Sequence, residues 1–252
     1  MTDSSPSRRT VGEVAAPYAN YLVRVPPVVP GVCAVCHGAV SGYRTCYQCM
    51  EAERTLRNQV ADITGFVSLA PRGEQFAREL VMYKDERVSK LHRNRMVSGL
   101  AAVLWKWLGR HERCLGAPLG IDRFDVITTV PSTSGRGDHP LRRVVAGIVT
   151  GSADRHEDLL IINRTDLDQR AQASDRYRAS RNLHGAQVLV VDDTWTTGAH
   201  AQSASAALKT AGASRVGVLV LGRWLNPGYA DNAAWLAEHR KPGWDWDRCS
   251  LD

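Results

Sequence analysis

The stretch Val188-Leu189-Val190-Val191-Asp192-Asp193-Thr194-Trp195-Thr196-Thr197-Gly198-Ala199 carries the strongest structural signal in the chain. Its apolar start predicts a buried strand over 187–191. Two adjacent carboxylates, Asp192 and Asp193, stand at the tip, and a hydroxyl-rich turn then enters a helix over 199–211, ended by Gly212. Backbone N–H groups at such a helix start, assisted by the helix dipole, cradle a phosphate monoester. The hydroxyls of Thr194, Thr196 and Thr197 add further contacts to the phosphate oxygens. Carboxylates beside a phosphate cradle suit a ligand that also offers hydroxyl donors, and the vicinal hydroxyls of a ribose meet that need. A bland strand end running into a capped helix also uses Asp and Thr, but two carboxylates followed by Thr-Thr-Gly exceed what a cap requires.

Working outward, residues 125–130 predict a strand that stops at Pro131 before a Ser/Gly loop, and Pro140, with Asp138 as its cap, opens a helix through Leu141, Val144, Val145 and Ile148. Residues 159–162 read as a short buried strand, and 216–221 as another. Between them, 163–183 is polar and holds Arg164, Arg170, Arg176, Arg178 and Arg181, which predicts a mobile loop and then a short helix. Upstream, Phe76, Leu80 and Tyr83, then Leu91, Met96, Leu100, Val103, Leu104 and Leu108, recur at helical spacing and imply two helices over 73–109. From about Glu51, helical periodicity also runs through Leu56, Val60 and Ile63. Strands alternating with helices predict an α/β fold, a parallel sheet with helices on both faces, and ligands at the carboxyl ends of its strands.

Cys33-Ala-Val-Cys36 and Cys46-Tyr-Gln-Cys49 form two Cys-x-x-Cys knuckles with nine residues between them. Two such knuckles complete the tetrahedral sulfur shell that zinc favours, and a closed four-sulfur site is structural rather than catalytic. His37 is then a bystander, and Cys114 and Cys249 read as isolated packing or surface thiols. Residues 1–30 are expected to form a flexible tail, 31–52 a zinc ribbon, 53–225 the main domain and 226–252 a Trp-rich C-terminal tail.

With 44% hydrophobic residues over 252 positions, the chain can build a core, which excludes a wholly disordered protein. A formal charge of +6 suits a polyanionic partner without making the dense basic stripe of a dedicated DNA binder. Apolar runs fall short of the ~18 residues a membrane span needs, and no signal-peptide core follows Arg8 and Arg9, so a cytoplasmic location with reduced cysteines and no membrane partner is expected. A Walker loop is excluded by the lack of Gly-Lys-Ser/Thr, and Gly135-Arg-Gly137 is a poor dinucleotide fingerprint.

The 192–198 segment resembles the phosphoribosyl-diphosphate signature of type I phosphoribosyltransferases, and the four-cysteine module is similar to that of the ComF/GntX-like branch of that family. The likeness runs over residues 33–221, with looser matches at Tyr83-Lys84, Val130-Pro131, Arg136-Gly137-Asp138-His139-Pro140, 164–172 and Asn182-Leu183. It implies the type I phosphoribosyltransferase fold behind an N-terminal zinc ribbon. The implied activity is Mg²⁺-dependent transfer of phosphoribosyl to an unidentified nucleophile with release of pyrophosphate, a glycosyltransferase reaction. Asp192 and Asp193 become the catalytic pair, holding the ribose and, directly or through water, the magnesium. Thr194, Trp195, Thr196, Thr197, Gly198, Ala199 and His200 surround the sugar phosphate, Pro131, Ser132 and Arg136 meet the diphosphate, Lys84 also contacts the ligand, and Arg164 and Arg170 close over the site. His200 is a departure, because the family has Thr or Ser two residues after the glycine. Two alternatives stay open: a non-catalytic phosphoribosyl-diphosphate sensor, or a competence accessory that binds single-stranded DNA or a helicase of the DNA-uptake machinery, with Trp224, Trp235, Trp244 and Trp246 stacking on bases.

Overall fold

The computed structural model describes residues 9–132 and 139–251. Its strands are β1 Ile63–Pro71, β2 Val126–Thr129, β3 Leu160–Ile162, β4 Tyr177–Ala179, β5 Gln187–Trp195 and β6 Arg215–Leu225. The helices are α1 Val11–Ala15, α2 Tyr47–Thr55, α3 Gln75–Met82, α4 Lys90–Gly116, α5 Pro140–Arg143, α6 Ala199–Thr210 and α7 Asn232–His239. Four strands form a parallel sheet in the order β1-β6-β5-β2.

The two-residue period of a strand sorts the sheet's side chains into two cores. Leu189, Val191, Leu219 and Leu221, with Val67 and Ile127, pack on one face against Phe76 and Leu80 of α3 and Leu100, Leu104 and Trp107 of α4. Val188, Val190, Val216, Val218 and Val220, with Phe66 and Val126, pack on the other against Ala201, Ala204 and Leu208 of α6 and against the cysteine module. Each aliphatic side chain buried this way contributes roughly 1.5–3 kcal/mol relative to exposure. Both faces of the sheet are therefore covered, as the alternation of elements predicts.

Several expectations are corrected. The helical periodicity read through Val60 and Ile63 ends early: α2 stops at Thr55, Arg57 and Asn58 take left-handed backbone, and Ile63 opens β1. A strand buried on both faces loses its alternation, so periodicity alone does not separate it from a buried helix. The 159–162 strand does not join the parallel sheet; β3 pairs antiparallel with β4, and β4 stands where a short helix was expected. The helix opened by Pro140 holds α geometry only to Arg143 and then becomes a π-helical turn, Val144–Ile148. Its cap is the His139 ring, which accepts from the Leu141 N–H at 3.3 Å; Asp138 lies outside the described residues.

Within the stretch 1–30, expected as a flexible tail, the described residues pack on the core. Thr10 and Glu13 form a capping box on α1, Tyr18 and Leu22 join the α4 core, and Ser68 Oγ accepts from the Val23 N–H at 2.9 Å. At the other end, Trp244 and Trp246 pack against the same core.

Gly222 of β6 faces α3 at close approach, where an added Cβ would run into Leu80 Cδ1 and crowd Ala70. Gly222→Ala is expected to cost about 1–3 kcal/mol through overpacking, read as a lower urea midpoint with an unchanged slope.

Candidate functional site

β5 continues to Trp195, four residues beyond the expected strand end, so Asp192 and Asp193 still lie on the strand and point to opposite sides. Asp193 shares the side of Leu189 and Val191 and is buried at the end of α3. There the Tyr83 hydroxyl donates to its Oδ2 at 2.5 Å, Lys84 Nζ donates to the same oxygen at 2.7 Å, and His139 Nε2 lies 3.8 Å away. Burial opposes ionisation of Asp193, but the charges of Lys84 and His139 and the hydrogen bonds from Lys84 and Tyr83 outweigh it and hold its pKa below the ordinary value. Asp192 takes the opposite side, half-buried, with Oδ1 accepting from the Asp193 N–H at 2.9 Å. Burial, followed by the charge of Asp193, pushes its pKa up to about 7.

Two adjoining cavities open above this tip. One, about 340 Å³, is lined by Asp192, Thr194, Thr196, Thr197, His200 and Arg170 among others. The second, about 290 Å³, shares Asp192, Thr194, Thr196, Gln169 and His200 with it and adds Lys84, Pro131, Ser132, His139 and Asp193. Gly198 caps α6 at φ +80°, and a Cβ there would strike the Trp195 indole. That indole lies beneath the turn, 2% exposed and edge-on to Phe66 at 5.5 Å, so Trp195 supports the turn from the core side. Gly198 and Ala199 border the first cavity at the helix start, where the Ala199 N–H points at Thr197 Oγ1, 3.4 Å away.

His200 lines both cavities as a neutral ring. Burial and then the Arg176 charge lower its pKa to about 4. Tyr177 Oη lies 2.6 Å from Nδ1 and Gln169 Oε1 lies 2.9 Å from Nε2; an amide oxygen only accepts, so Nε2 carries the proton and Nδ1 accepts from the phenol. The imidazole thus offers no cation to a phosphate at neutral pH.

Arg164 does not come to the site. It pairs with Asp166 at 2.6 Å and Asp175 at 3.1 Å, whereas Arg170 borders the first cavity. Arg136 lies outside the described residues. Tyr83 and Gln169, which fall in stretches of the looser resemblance without being expected as site residues, and Tyr177, which has no sequence signal, also join the site, each from a separate element.

The four cysteines converge, with their sulfurs all within 4.8 Å of one another. Cys36 Sγ and Cys46 Sγ are 3.7 Å apart, and the Cys46 N–H donates to Cys33 Sγ at 3.2 Å. Hydrogen bonds from Cys33, Cys46 and Cys49 overcome burial and, with the Arg223 charge, hold the Cys36 thiol well below its usual range. This donor set can bind zinc as four thiolates. His37 turns aside, its Nδ1 2.8 Å from the Pro26 carbonyl.

Arg223 of β6, buried, links this cluster to the turn. Its Nη2 donates to Cys36 Sγ at 3.3 Å and its Nε to the Cys36 carbonyl at 2.9 Å, while Nη1 donates to the carbonyls of Trp195 and Thr196 at 3.3 Å each. A wider cavity, about 740 Å³, opens between module and turn, with Tyr47, Arg72, Arg170, Trp224 and Tyr229 on its walls. Among the described residues no helix is long and apolar enough to cross a membrane.

No family model matches the chain, and no curated protein matches it in sequence.

Unfolded Asp192 ionises near 3.8, whereas the folded group retains its proton until about pH 7, so its contribution to stability is full below pH 4 and lost as pH rises through 7. Asp192→Asn is therefore expected to stabilise the ligand-free protein by an increment that grows between pH 4 and pH 7 and levels off above. The plateau should be on the order of 1–3 kcal/mol, the lower part of the range a shift of this size allows because the group borders solvent; urea unfolding of both proteins at pH 5 and pH 8 measures it.

Arg223→Met should cost about 3 kcal/mol or more, because it strands buried carbonyls and thiolates. Chelation of a zinc ion should cost stability as well, and the two losses are expected to be non-additive, because both act on one network. Thermal unfolding of both proteins with and without chelator reads the coupling.

Proposed function

We propose that the chain is a type I phosphoribosyltransferase-fold protein of the ComF/GntX-like kind, which binds phosphoribosyl diphosphate or a related sugar phosphate and transfers phosphoribosyl to an unidentified nucleophile. The observation that carries this reading is the pair of adjoining cavities at the carboxyl end of β5, with Asp192 on one wall and Thr194, Thr196, Thr197 and the start of α6 on another. A parallel sheet covered on both faces supports it, because ligands in such sheets sit at the carboxyl ends of the strands.

In this reading the N–H groups at the start of α6 and the threonine hydroxyls grip the 5′-phosphate. Asp192 accepts from the ribose hydroxyls, and Asp193, tied to Lys84 and Tyr83, sets the local charge and fixes that lysine beside the diphosphate. Ser132 and the chain after Pro131 border the cavity where the leaving group would lie. In the reaction the C1–O bond to pyrophosphate breaks, pyrophosphate leaves with the electron pair, and the nucleophile bonds to C1. Catalysis then rests on positioning and on stabilising the charge that gathers on the leaving group. A Mg²⁺ ion, held by Asp192 and the diphosphate oxygens, would supply neutralising charge there.

A second reading, single-stranded DNA binding, draws on one observation: exposed Tyr47 and Tyr229 share the wide cavity with Arg72 and Arg170. The tryptophans support it less, since Trp244 and Trp246 pack on each other and on the core, and Trp235 Nε1 donates to the Gly31 carbonyl at 3.0 Å.

Calorimetry with phosphoribosyl diphosphate and Mg²⁺ should show binding that weakens about tenfold in Thr197→Ala, as loss of one hydrogen bond predicts, and disappears in Asp192→Ala. Absence of binding by the wild-type chain would sink the proposal. Pyrophosphate release in a screen of amines and nucleobases then separates an enzyme from a sensor.

A further inference from the structure

Away from the sites above, His111, Cys114 and Cys249 bring three donor atoms within 4.8 Å of one another. His111 and Cys114 stand three apart on α4 and so share one face of the helix. Cys249 arrives from the C-terminal segment that packs across that face. His111 and Cys249 are buried and Cys114 is half-buried.

The geometry has the dimensions of a metal shell. Zn–N near 2.0–2.1 Å and Zn–S near 2.3 Å set neighbouring donors of a tetrahedron about 3.5–3.8 Å apart. His111 Nδ1 lies 3.7 Å from Cys114 Sγ, the same separation that Cys36 Sγ and Cys46 Sγ show in the four-cysteine cluster.

The histidine is also oriented for ligation. His111 Nε2 is 2.9 Å from the Trp246 carbonyl, which only accepts, so Nε2 holds the proton and Nδ1 turns its lone pair toward the sulfurs. A backbone carbonyl that fixes the remote N–H is the usual outer partner of a metal-bound imidazole. A thiol S–H donor to Nδ1 is a weak substitute for a buried ring of this kind.

We propose that His111 Nδ1, Cys114 Sγ and Cys249 Sγ hold a second soft divalent cation, zinc by the chemistry of the donors, with the fourth position taken by water. On binding, both thiols release their protons to solvent, and the two thiolates and the dication sum to zero charge, which suits a largely buried site. The ion staples the C-terminal segment to α4. Beside the His111–Trp246 hydrogen bond, Arg110 to Asp247 at 2.9 Å and Lys106 over the Trp246 ring at 4.3 Å also tie it there, and both lie near the surface, where such contacts hold weakly.

The test is metal stoichiometry of the full chain, purified with zinc under reducing conditions and measured by mass spectrometry of the metal after gel filtration. Two equivalents per chain are expected in the wild type, and one in each of Cys249→Ser and Cys114→Ser. Cobalt substitution should retain the four-thiolate charge-transfer band in both variants and lose the weaker two-thiolate contribution. Hydrogen exchange over 244–251 should quicken in the same variants. If Cys249→Ser fails to fold, Cys114→Ser, at a half-exposed helical position, gives the same reading. One equivalent in the wild type, a second equivalent that survives both substitutions, or a Cys114–Cys249 disulfide in the intact mass of the purified chain would overturn the proposal.

Discussion

A carboxylate held by Lys84 and Tyr83 in the α3 layer cannot also face the layer of α6, and in an extended strand the residue before it must point the other way. The candidate site follows from that alternation at the end of β5. Asp193 is committed inward and stays ionised through its partners; Asp192, one residue earlier, borders the cavities with its proton affinity raised. Had β5 ended at Val191, the two acids would sit on a loop with no enforced division of labour. The strand runs on because Asp192, Thr194 and Trp195 still pair in register with Val220, Gly222 and Arg223 of β6.

The same register brings Arg223 beneath the turn. A four-thiolate zinc site carries net negative charge, and burying it calls for a cation with fixed donors, which a guanidinium supplies better than an ammonium. Because the donors of Arg223 are divided between Cys36 and the Trp195 and Thr196 carbonyls, the cysteine module and the turn before α6 rest on one side chain. Trp195 completes the support, filling the space that Gly198, lacking a Cβ, leaves open. The module is thus part of the site's foundation as well as a neighbour of it.

What could be read along the chain was local in origin. The strand 187–191, the turn, α6 and the two cysteine knuckles each reveal themselves within a dozen residues, because β-branched runs, left-handed glycines and Cys-x-x-Cys pairs act through neighbours in sequence. β1 was hidden because burial on both faces erased its alternation, and β3 could be recognised as a strand but not assigned to a sheet, since its partner lies beyond a long polar loop. Arg164 and Arg170 look alike in sequence; Asp166 and Asp175 draw the first away, and only the packed loop reveals it.

The amino-acid sequence by itself determined an α/β chain with a strand-turn-helix unit bearing two carboxylates and a four-cysteine module, since those depend on short-range backbone and spacing rules. Tertiary structure alone decided which aspartate is tied to Lys84 and Tyr83 and which borders both cavities, that His200 stays neutral between Tyr177 and Gln169, that Arg223 joins module to turn, and that Cys249 meets His111 and Cys114. Each of those depends on groups from distant segments, whose burial and mutual charge come into being only when the layers close.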